Sequence, residues 1–153
     1  MATIRGCNLP EELYYLLEKH VWARPMDGGV IRVGMTSVAG KLAGGKLNAV
    51  TVKAKNIGQE IKQGKSVATV ESSKFVGPVP APVTGVLLRA NDKLASNPGL
   101  AISDPYGEGW IAELQAGAWE AEKGALVTGA PGVAAYQAKL EADGITCEEL
   151  VAR

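Results

Sequence analysis

The chain has 153 residues, of which 46% are hydrophobic and 21% charged, so it suits one domain with a substantial core and is not mainly a disordered tail. Its 16 Lys and Arg residues balance 16 Asp and Glu residues. Because no basic stripe is expected either, we do not expect it to bind nucleic acid or anionic membranes. The 19 glycines, with few aromatic residues, favour short strands joined by tight turns.

The start of the chain shows no basic region followed by an apolar one, and no apolar run approaches the ~20 residues that span a bilayer. We therefore expect a cytoplasmic protein. Its two cysteines, Cys7 and Cys147, lie near opposite ends and lack the CxxC spacing of a zinc site. In a reducing cytosol we expect two thiols that behave as small hydrophobes; the alternative is that they pair or take part in sulfur transfer.

The N-terminal segment predicts a short helix over about 9–19. Asn8 stands where a helix cap is expected, and two glutamates follow in the first turn. Leu13, Leu16 and Leu17 have the spacing of an apolar helical stripe.

A β-hairpin and a second short helix are predicted next. Alternating apolar residues indicate strands over 21–24 and 30–34, joined by a glycine turn at 26–29. Thr36 is placed to cap a helix over 37–42.

Short strands broken by glycine or proline continue to a last strand at 110–114. Pro78, Pro80 and Pro82 cannot donate to a ladder, so their stretch is predicted to be an edge or a connector. The predicted core positions are Val30, Val33, Val50, Val52, Val67, Val70, Val86, Leu88, Trp110 and Ile111.

The final part of the chain changes in composition to Ala, Glu and Lys. A helical extension is predicted over about 117–150, and Gly144 is the expected stop of its helix. The whole chain, 1–153, is interpreted as one domain with a β core over about 20–115. The fold class is mainly β, a small barrel or sandwich with short flanking helices.

No motif of a self-sufficient enzyme is present. The sequence has no nucleophile elbow, phosphate-binding loop, metalloprotease motif or dinucleotide fingerprint. The single histidine, His20, has no ligand set or nucleophile near it in sequence, so a structural role is expected. We therefore predict no catalytic residue and no metal site.

The most informative residue is Lys74, in the stretch Val70-Glu71-Ser72-Ser73-Lys74. It is predicted at the tip of a turn between two strands, where an ammonium group is solvated, flexible and open to acylation. From position alone, an ordinary surface lysine is the simpler interpretation.

Three stretches give this lysine a context: 19–36 (KHVWARPMDGGVIRVGMT), 68–91 (ATVESSKFVGPVPAPVTGVLLRAN) and 97–114 (NPGLAISDPYGEGWIAEL). Together they resemble the H protein of the glycine cleavage system, most specifically in the string from Asp104 to Trp110. The resemblance implies a barrel-sandwich hybrid fold of the lipoyl-domain type.

The resemblance also implies a cofactor and its site. In that family the corresponding lysine bears lipoic acid in amide linkage, which points to Lys74. Glu71 and Gly85 match positions that lipoate-attaching enzymes read in lipoyl domains, and His20 would lie on the lysine's face, where it could cover the resting arm. The protein would be a carrier, whose dithiolane does the chemistry while the chain presents it.

Local departures from the family pattern suggest a specialised pathway. They include Ser73 and Phe75 beside the lysine, the prolines that follow, the stretch 51–56 and the neutral net charge. They look more like the lipoate-binding proteins of heterodisulfide-reductase-like sulfur oxidation, which would carry sulfur intermediates to that complex. The alternative is a glycine cleavage H protein, which carries an aminomethyl group among glycine decarboxylase, aminomethyltransferase and dihydrolipoamide dehydrogenase. On the first hypothesis, a neutral carrier should serve glycine decarboxylase poorly.

Overall fold

The computed structural model describes residues 2–74 and 76–147. Their strands are β1 (Ala2–Ile4), β2 (Cys7–Leu9), β3 (Tyr14–Leu16), β4 (Val21–Pro25), β5 (Val30–Met35), β6 (Ala49–Thr51), β7 (Glu60–Ile61), β8 (Ser66–Glu71), β9 (Val76–Pro80), β10 (Gly85–Ala90), β11 (Ala112–Ala116) and β12 (Val127–Thr128). Their α-helices are α1 (Ser37–Leu42), α2 (Lys93–Ser96), α3 (Leu100–Ser103), α4 (Trp119–Glu122) and α5 (Gly129–Asp143).

The strands form three antiparallel sheets. The largest has the order β12-β3-β4-β5-β11-β10-β7, a second has the order β6-β8-β9, and β1 pairs with β2. The main core lies among residues of the two larger sheets and their connecting segments. The mainly β class with short helices is confirmed, and the proline-rich strand β9 lies at a sheet edge as predicted.

The predicted core is partly correct. Val33, Val67, Val70 and Ile111 are buried. Val30, Val50, Val52 and Trp110 are only half-buried.

The predictions for two residues of β10 are wrong: Val86 and Leu88 are 36% and 39% exposed, while Leu87 between them is fully buried. The apolar run Val-Leu-Leu does not alternate, so it cannot specify which face turns inward. A register shift between Leu87 and Arg89, in the pairing with β11, falls in the same run.

The predicted helix over 9–19 is wrong, because only Leu17–Lys19 is helical there, as a single 3₁₀ turn. Asn8 lies in β2 opposite Thr3, and β3 pairs with both β4 and β12. Leu13 and Tyr15 are fully buried, with the period of two expected of a strand. Strand pairing on both sides satisfies the backbone hydrogen-bonding groups of this segment. A helix of about three turns would have had to satisfy them without such partners, so tertiary contacts override the local helix signal.

Within the predicted C-terminal extension, the described residues are mainly helical, in α4 and α5. Helix α5 ends at Gly144, whose φ of 67° is the left-handed conformation expected of a glycine stop. Strand β12 was not predicted; it is two residues long and pairs with the edge of β3. The predicted end of the extension, 148–150, lies outside the described residues.

A second apolar cluster joins the two ends of the chain. Its fully buried members are Cys7, Leu9, Leu13, Tyr15, Trp22, Val38, Tyr136 and Leu140. Cys7 and Cys147 are joined in a disulfide, with Cα atoms 5.2 Å apart, where we expected two thiols. Burial against α5 brings the sequence-distant cysteines within bonding range, which spacing along the chain could not reveal.

Hydrogen bonds reinforce this junction. Arg5 Nε donates to the carbonyl of Ile145 at 2.6 Å, and the Cys147 N–H donates to the Arg5 carbonyl at 2.8 Å. We call residues 2–9 and 136–147, with their disulfide, the terminal clasp. Among the described residues, no helix is both long and apolar enough to cross a membrane.

Candidate functional site: a lysine at the tip of a β-hairpin

Lys74 lies at the tip of the hairpin formed by β8 and β9. The strands pair through Glu71 and Val76, so the connection is tight, as predicted. The Lys74 N–H donates to the Ser72 hydroxyl at 3.1 Å, and Ser72 is itself buried. The turn is therefore held from within while the lysine side chain is exposed.

The stem of Lys74 lies against Gly44, just after α1. A Cβ placed on Gly44 would lie 3.1 Å from Lys74 Cδ and 3.2 Å from its Cε, and the φ of Gly44 is +88°. Glycine thus serves two needs here, a left-handed turn and room for the lysine.

A small, mostly apolar cavity of about 130 Å³ lies beside the hairpin. It is lined by Lys19, His20, Val21, Met35, Ala39, Leu42, Val70, Pro78 and Val79. Leu42 precedes Gly44 by two residues, and Val70 precedes Lys74 by four. The end of α1 and the β8–β9 hairpin therefore line the cavity and also support Lys74. This cavity could not be predicted from the sequence, because its lining residues come from separate segments of the chain.

His20 combines a structural position with a place in the cavity wall. Its Nδ1 is 2.5 Å from the Tyr136 hydroxyl, which is 3.0 Å from the Thr36 hydroxyl. Burial, aided by the charge of Lys139, lowers the pKa of His20 to about 4, so the ring is neutral at pH 7. Burial raises the pKa of Tyr136, which stays protonated.

Glu71 and Gly85 differ in environment. Glu71 is exposed near the hairpin tip, where its carbonyl accepts from the Asn48 N–H at 2.7 Å. Gly85 is buried in β10, and a Cβ there would lie 2.7 Å from the carbonyl oxygen of Gln115. Close strand packing alone demands a glycine at position 85, and reading of either residue by an attaching enzyme stays a prediction.

The segment from Asp104 to Trp110 forms a turn. The Asp104 carboxylate accepts from the Glu108 N–H at 2.9 Å, and a Cβ on Gly109 would collide with the Leu100 carbonyl oxygen. Tyr106 donates to the Asn8 carbonyl at 2.5 Å and accepts from the Ser37 N–H at 2.9 Å. The turn thereby ties the terminal clasp to the start of α1.

The expectation of dispersed basic residues is wrong for one part of the chain. Residues 41–74 hold seven of the 16 basic residues and only two carboxylates, Glu60 and Glu71. Net charge over the whole chain had concealed this concentration. A running count of charge along the sequence would have found it.

Comparison with known proteins gives this geometry a context. A family model described as "Glycine cleavage H-protein" matches residues 13–139. The chain is 42% identical over 151 residues to "Glycine cleavage system H protein 5" of Aquifex aeolicus, covering 96% of this chain and 99% of that relative. It is 39% identical over 145 residues to "Glycine cleavage system H protein 2" of the same organism, covering 95% of this chain and 88% of the relative.

Two further comparisons cover less of the chain. The "Glycine cleavage system H protein" of Mycolicibacterium vanbaalenii is 40% identical over 108 residues, which is 71% of this chain and 79% of that protein. A crystal structure of a glycine cleavage system H protein from Mycobacterium marinum superposes with a TM-score of 0.70 at 29% identity, covering 90% of this chain and all of that one. The superposition confirms the predicted barrel-sandwich type of fold.

Proposed function

Because the chain belongs to the glycine cleavage H-protein family, we propose that it is a covalent carrier with lipoate in amide linkage to Lys74. Members of this family are lipoyl carriers, and they hold the lipoate on a lysine. The observation that carries the assignment to Lys74 is its place at the tip of the β8–β9 hairpin, exposed at its head and supported at its stem.

The surroundings of Lys74 fit a modified lysine. Amide formation removes the positive charge of Nζ, so the extended side chain can lie against apolar surface without burying an ion. The cavity beside the hairpin offers such a surface, with Leu42, Val70 and Val79 in its walls. When bound, lipoate supplies redox and group-carrying chemistry through its dithiolane.

The chain's own contribution is presentation. Ser72 fixes the turn, Gly44 leaves room for the stem, and the rigid sheet beneath holds the tip outward. His20, neutral and held by Tyr136, offers an uncharged wall to a resting arm. Tethering then raises the effective concentration of the arm at a partner's active site without tight docking.

We assign the pathway to glycine cleavage. The relatives that match nearly the whole chain are named as glycine cleavage system H proteins, which supports this assignment over the sulfur-oxidation hypothesis. The implied partners are glycine decarboxylase, aminomethyltransferase, dihydrolipoamide dehydrogenase and a lipoate-attaching enzyme.

Sulfur oxidation with heterodisulfide-reductase-like subunits is the second candidate. One observation favours it: relatives numbered 2, 3 and 5 come from one organism, so a genome can hold several chains of this family. Several copies leave room for specialised carriers. The departures at Ser73 and in the prolines after the hairpin tip are the features that such specialisation would use.

Two measurements test these proposals in sequence. Protein made in a lipoylating host should gain the mass of one lipoyl group, and peptide mapping should place it on Lys74. The lipoylated protein should then support glycine–bicarbonate exchange with glycine decarboxylase of its own organism, at a rate comparable to an established H protein with its own enzyme. A lipoylated protein inactive in exchange would contradict the glycine cleavage assignment and leave the carrier assignment intact.

A further inference from the structure

The balanced net charge of the chain consists of two opposed regions. Residues 41–74 have a formal charge of +5, from seven lysines and two carboxylates. Residues 104–147 have a formal charge of −5, from seven carboxylates and two lysines. The positive region is the one that ends at Lys74, so the arm is carried by the basic part of the protein.

The lysines of this region are mostly not used in the fold. Lys46, Lys53, Lys55 and Lys65 are exposed, and within the described ranges none of them forms an ion pair with a carboxylate. Glu60 is already paired with Lys62 at 2.9 Å. We call these four unpaired residues the lysine face. Unpaired charges of one sign create a field that reaches about 8–10 Å into physiological solution.

The lysine face surrounds the sheet that presents the arm. Lys46 lies two residues beyond Gly44, which contacts the Lys74 stem, and two residues before Asn48, which hydrogen-bonds to Glu71. Lys53 follows β6, and Lys65 immediately precedes β8. The positive groups therefore flank both ends of the β6-β8-β9 sheet.

An open groove runs over the same sheet. Its volume is about 470 Å³, and its lining extends from Lys53 and Asn56 through Thr69 to Val76 and Pro78. Val76 is two residues from Lys74 and 64% exposed, more than any other large hydrophobic residue that the structure describes. The groove thus has a positive end and an apolar end, and the apolar end adjoins the arm.

We propose that the lysine face and this groove form a docking surface for an acidic patch on the enzyme that receives the arm. This inference rests on the proposed carrier function and names the chemistry of its partner. Complementary charge would raise the encounter rate and orient the hairpin tip toward the partner's active site, while Val76 would be covered on contact. Lipoylation of Lys74 removes one charge and leaves the lysine face unchanged.

The composition of the face favours a protein partner over a nucleic acid. Residues 41–74 contain no arginine and no aromatic residue. Nucleic-acid surfaces typically combine lysine with arginine for bidentate contacts and with aromatic rings for stacking. A face of lysines alone fits carboxylates, which need no planar or stacked partner.

The test compares two double variants that lose the same charge. Lys53→Gln with Lys55→Gln removes half of the lysine face, whereas Lys93→Gln with Lys123→Gln removes two lysines paired with Glu108 and Glu120 elsewhere. Both are lipoylated and assayed for exchange with glycine decarboxylase. We expect the first to raise the KM for the carrier about fivefold at low salt with kcat little changed, and the second to leave KM within about twofold. The difference should vanish near 1 M salt, where the Debye length is about 3 Å.

A binding measurement independent of the pathway accompanies the assay. A hexaglutamate peptide titrated into ¹⁵N-labelled lipoylated protein should shift backbone signals of residues 46–78 and leave those of 104–147 unchanged. Equal KM values in both variants, or peptide shifts scattered over the chain, would overturn the docking surface. So would preference for a short DNA duplex over the peptide at equal charge. If wild-type protein is inactive in exchange, the glycine cleavage assignment fails. The peptide titration then still shows whether the docking surface binds carboxylates.

Discussion

The terminal clasp and the lysine-bearing hairpin use their residues in opposite ways. In the clasp, aromatic and aliphatic side chains are fully buried, and a disulfide joins positions 140 residues apart. In the hairpin, Lys74 and Val76 face solvent, and the four residues of the lysine face form no ion pair with a carboxylate among the described residues. The clasp stabilises the fold, whereas the hairpin exposes groups that we propose are recognised by partners outside the chain.

Stability and function are therefore expected to depend on different residues of this protein. Substitutions in the clasp should change the free energy of unfolding without changing the modification of Lys74. Substitutions in the hairpin should change the modification of Lys74 or the binding of a partner without changing the free energy of unfolding. The link between the two regions is α1, which contacts the clasp through Val38 and leads to Gly44 beneath the Lys74 stem.

The largest expected effect belongs to Lys74→Arg. Arginine keeps the charge but cannot form the lipoyl amide, so modification should be lost completely while the midpoint of urea unfolding stays unchanged. Intact mass after expression in a lipoylating host measures the first, and circular dichroism measures the second. Lys46→Arg is the matched control and should still gain one lipoyl group. A modified Lys74→Arg protein would show that the site lies elsewhere.

Loss of the disulfide should give the largest change in stability. Cys147→Ser keeps the buried Cys7 in place but opens a covalent loop of about 140 residues, whose closure contributes about 4–5 kcal/mol in the chain-entropy model. Urea denaturation should show this loss, and lipoylation of the folded variant should be normal. Wild-type protein in strong reductant serves as a second measurement of the same effect. An unchanged unfolding midpoint in both would mean that the clasp is held by packing alone.

Glu113 tests a buried charge outside both regions. This carboxylate is 1% exposed and accepts from Arg32 Nε at 2.8 Å and from Arg89 Nε at 2.5 Å. Glu113→Gln should lower the free energy of unfolding by about 3 kcal/mol, because two arginines lose their common anion. Glu60→Gln, which breaks the exposed pair with Lys62, should change it by less than about 1 kcal/mol. Similar losses for the two variants would contradict the assigned role of burial.

The smallest of these effects depends on pH and on His20. Its pKa is about 4 in the folded protein, below the ordinary value near 6.5, so the unfolded chain binds the extra proton between these values. The free energy of unfolding should therefore fall as the pH drops from 6.5 toward 4, by about 2 kcal/mol from this residue at pH 4.5.

The matched variant is His20→Asn, since asparagine tolerates the left-handed φ of 57° at this position and does not titrate. Urea denaturation at pH 7 and 4.5 should show a smaller loss for the variant than for wild type. Equal losses would mean that His20 is not buried as described.

Much of the fold, and the turn that presents Lys74, follow from short-range patterns. Thr36 accepts from the Ala39 N–H at 3.3 Å and caps α1, Gly144 ends α5, and β9 with its prolines lies at an edge. Each depends on a local property: a hydroxyl, a left-handed glycine or a missing N–H. The predicted turn at Lys74 has the same origin, in a strand, a break and a second strand.

The errors occur where the local signal was ambiguous or the partner was distant. The run from Val86 to Leu88 offered two equally apolar faces, and the leucines at 13, 16 and 17 fitted a helix until β4 and β12 supplied strand partners. The surroundings of Lys74 were missed for the second reason. Gly44, His20 and the cavity reach the hairpin from other parts of the chain.

By itself, the sequence determined the mainly β fold class, the helix cap at Thr36, the edge character of β9 and the turn at Lys74, because these depend on residues within a few positions of one another. Only the tertiary structure decided that Cys7 meets Cys147, that His20 is neutral beneath Tyr136, and that Gly44 supports the Lys74 stem. The physical reason is that burial and proximity arise from packing between distant segments, and the same packing sets the pKa of a histidine and the pairing of two thiols.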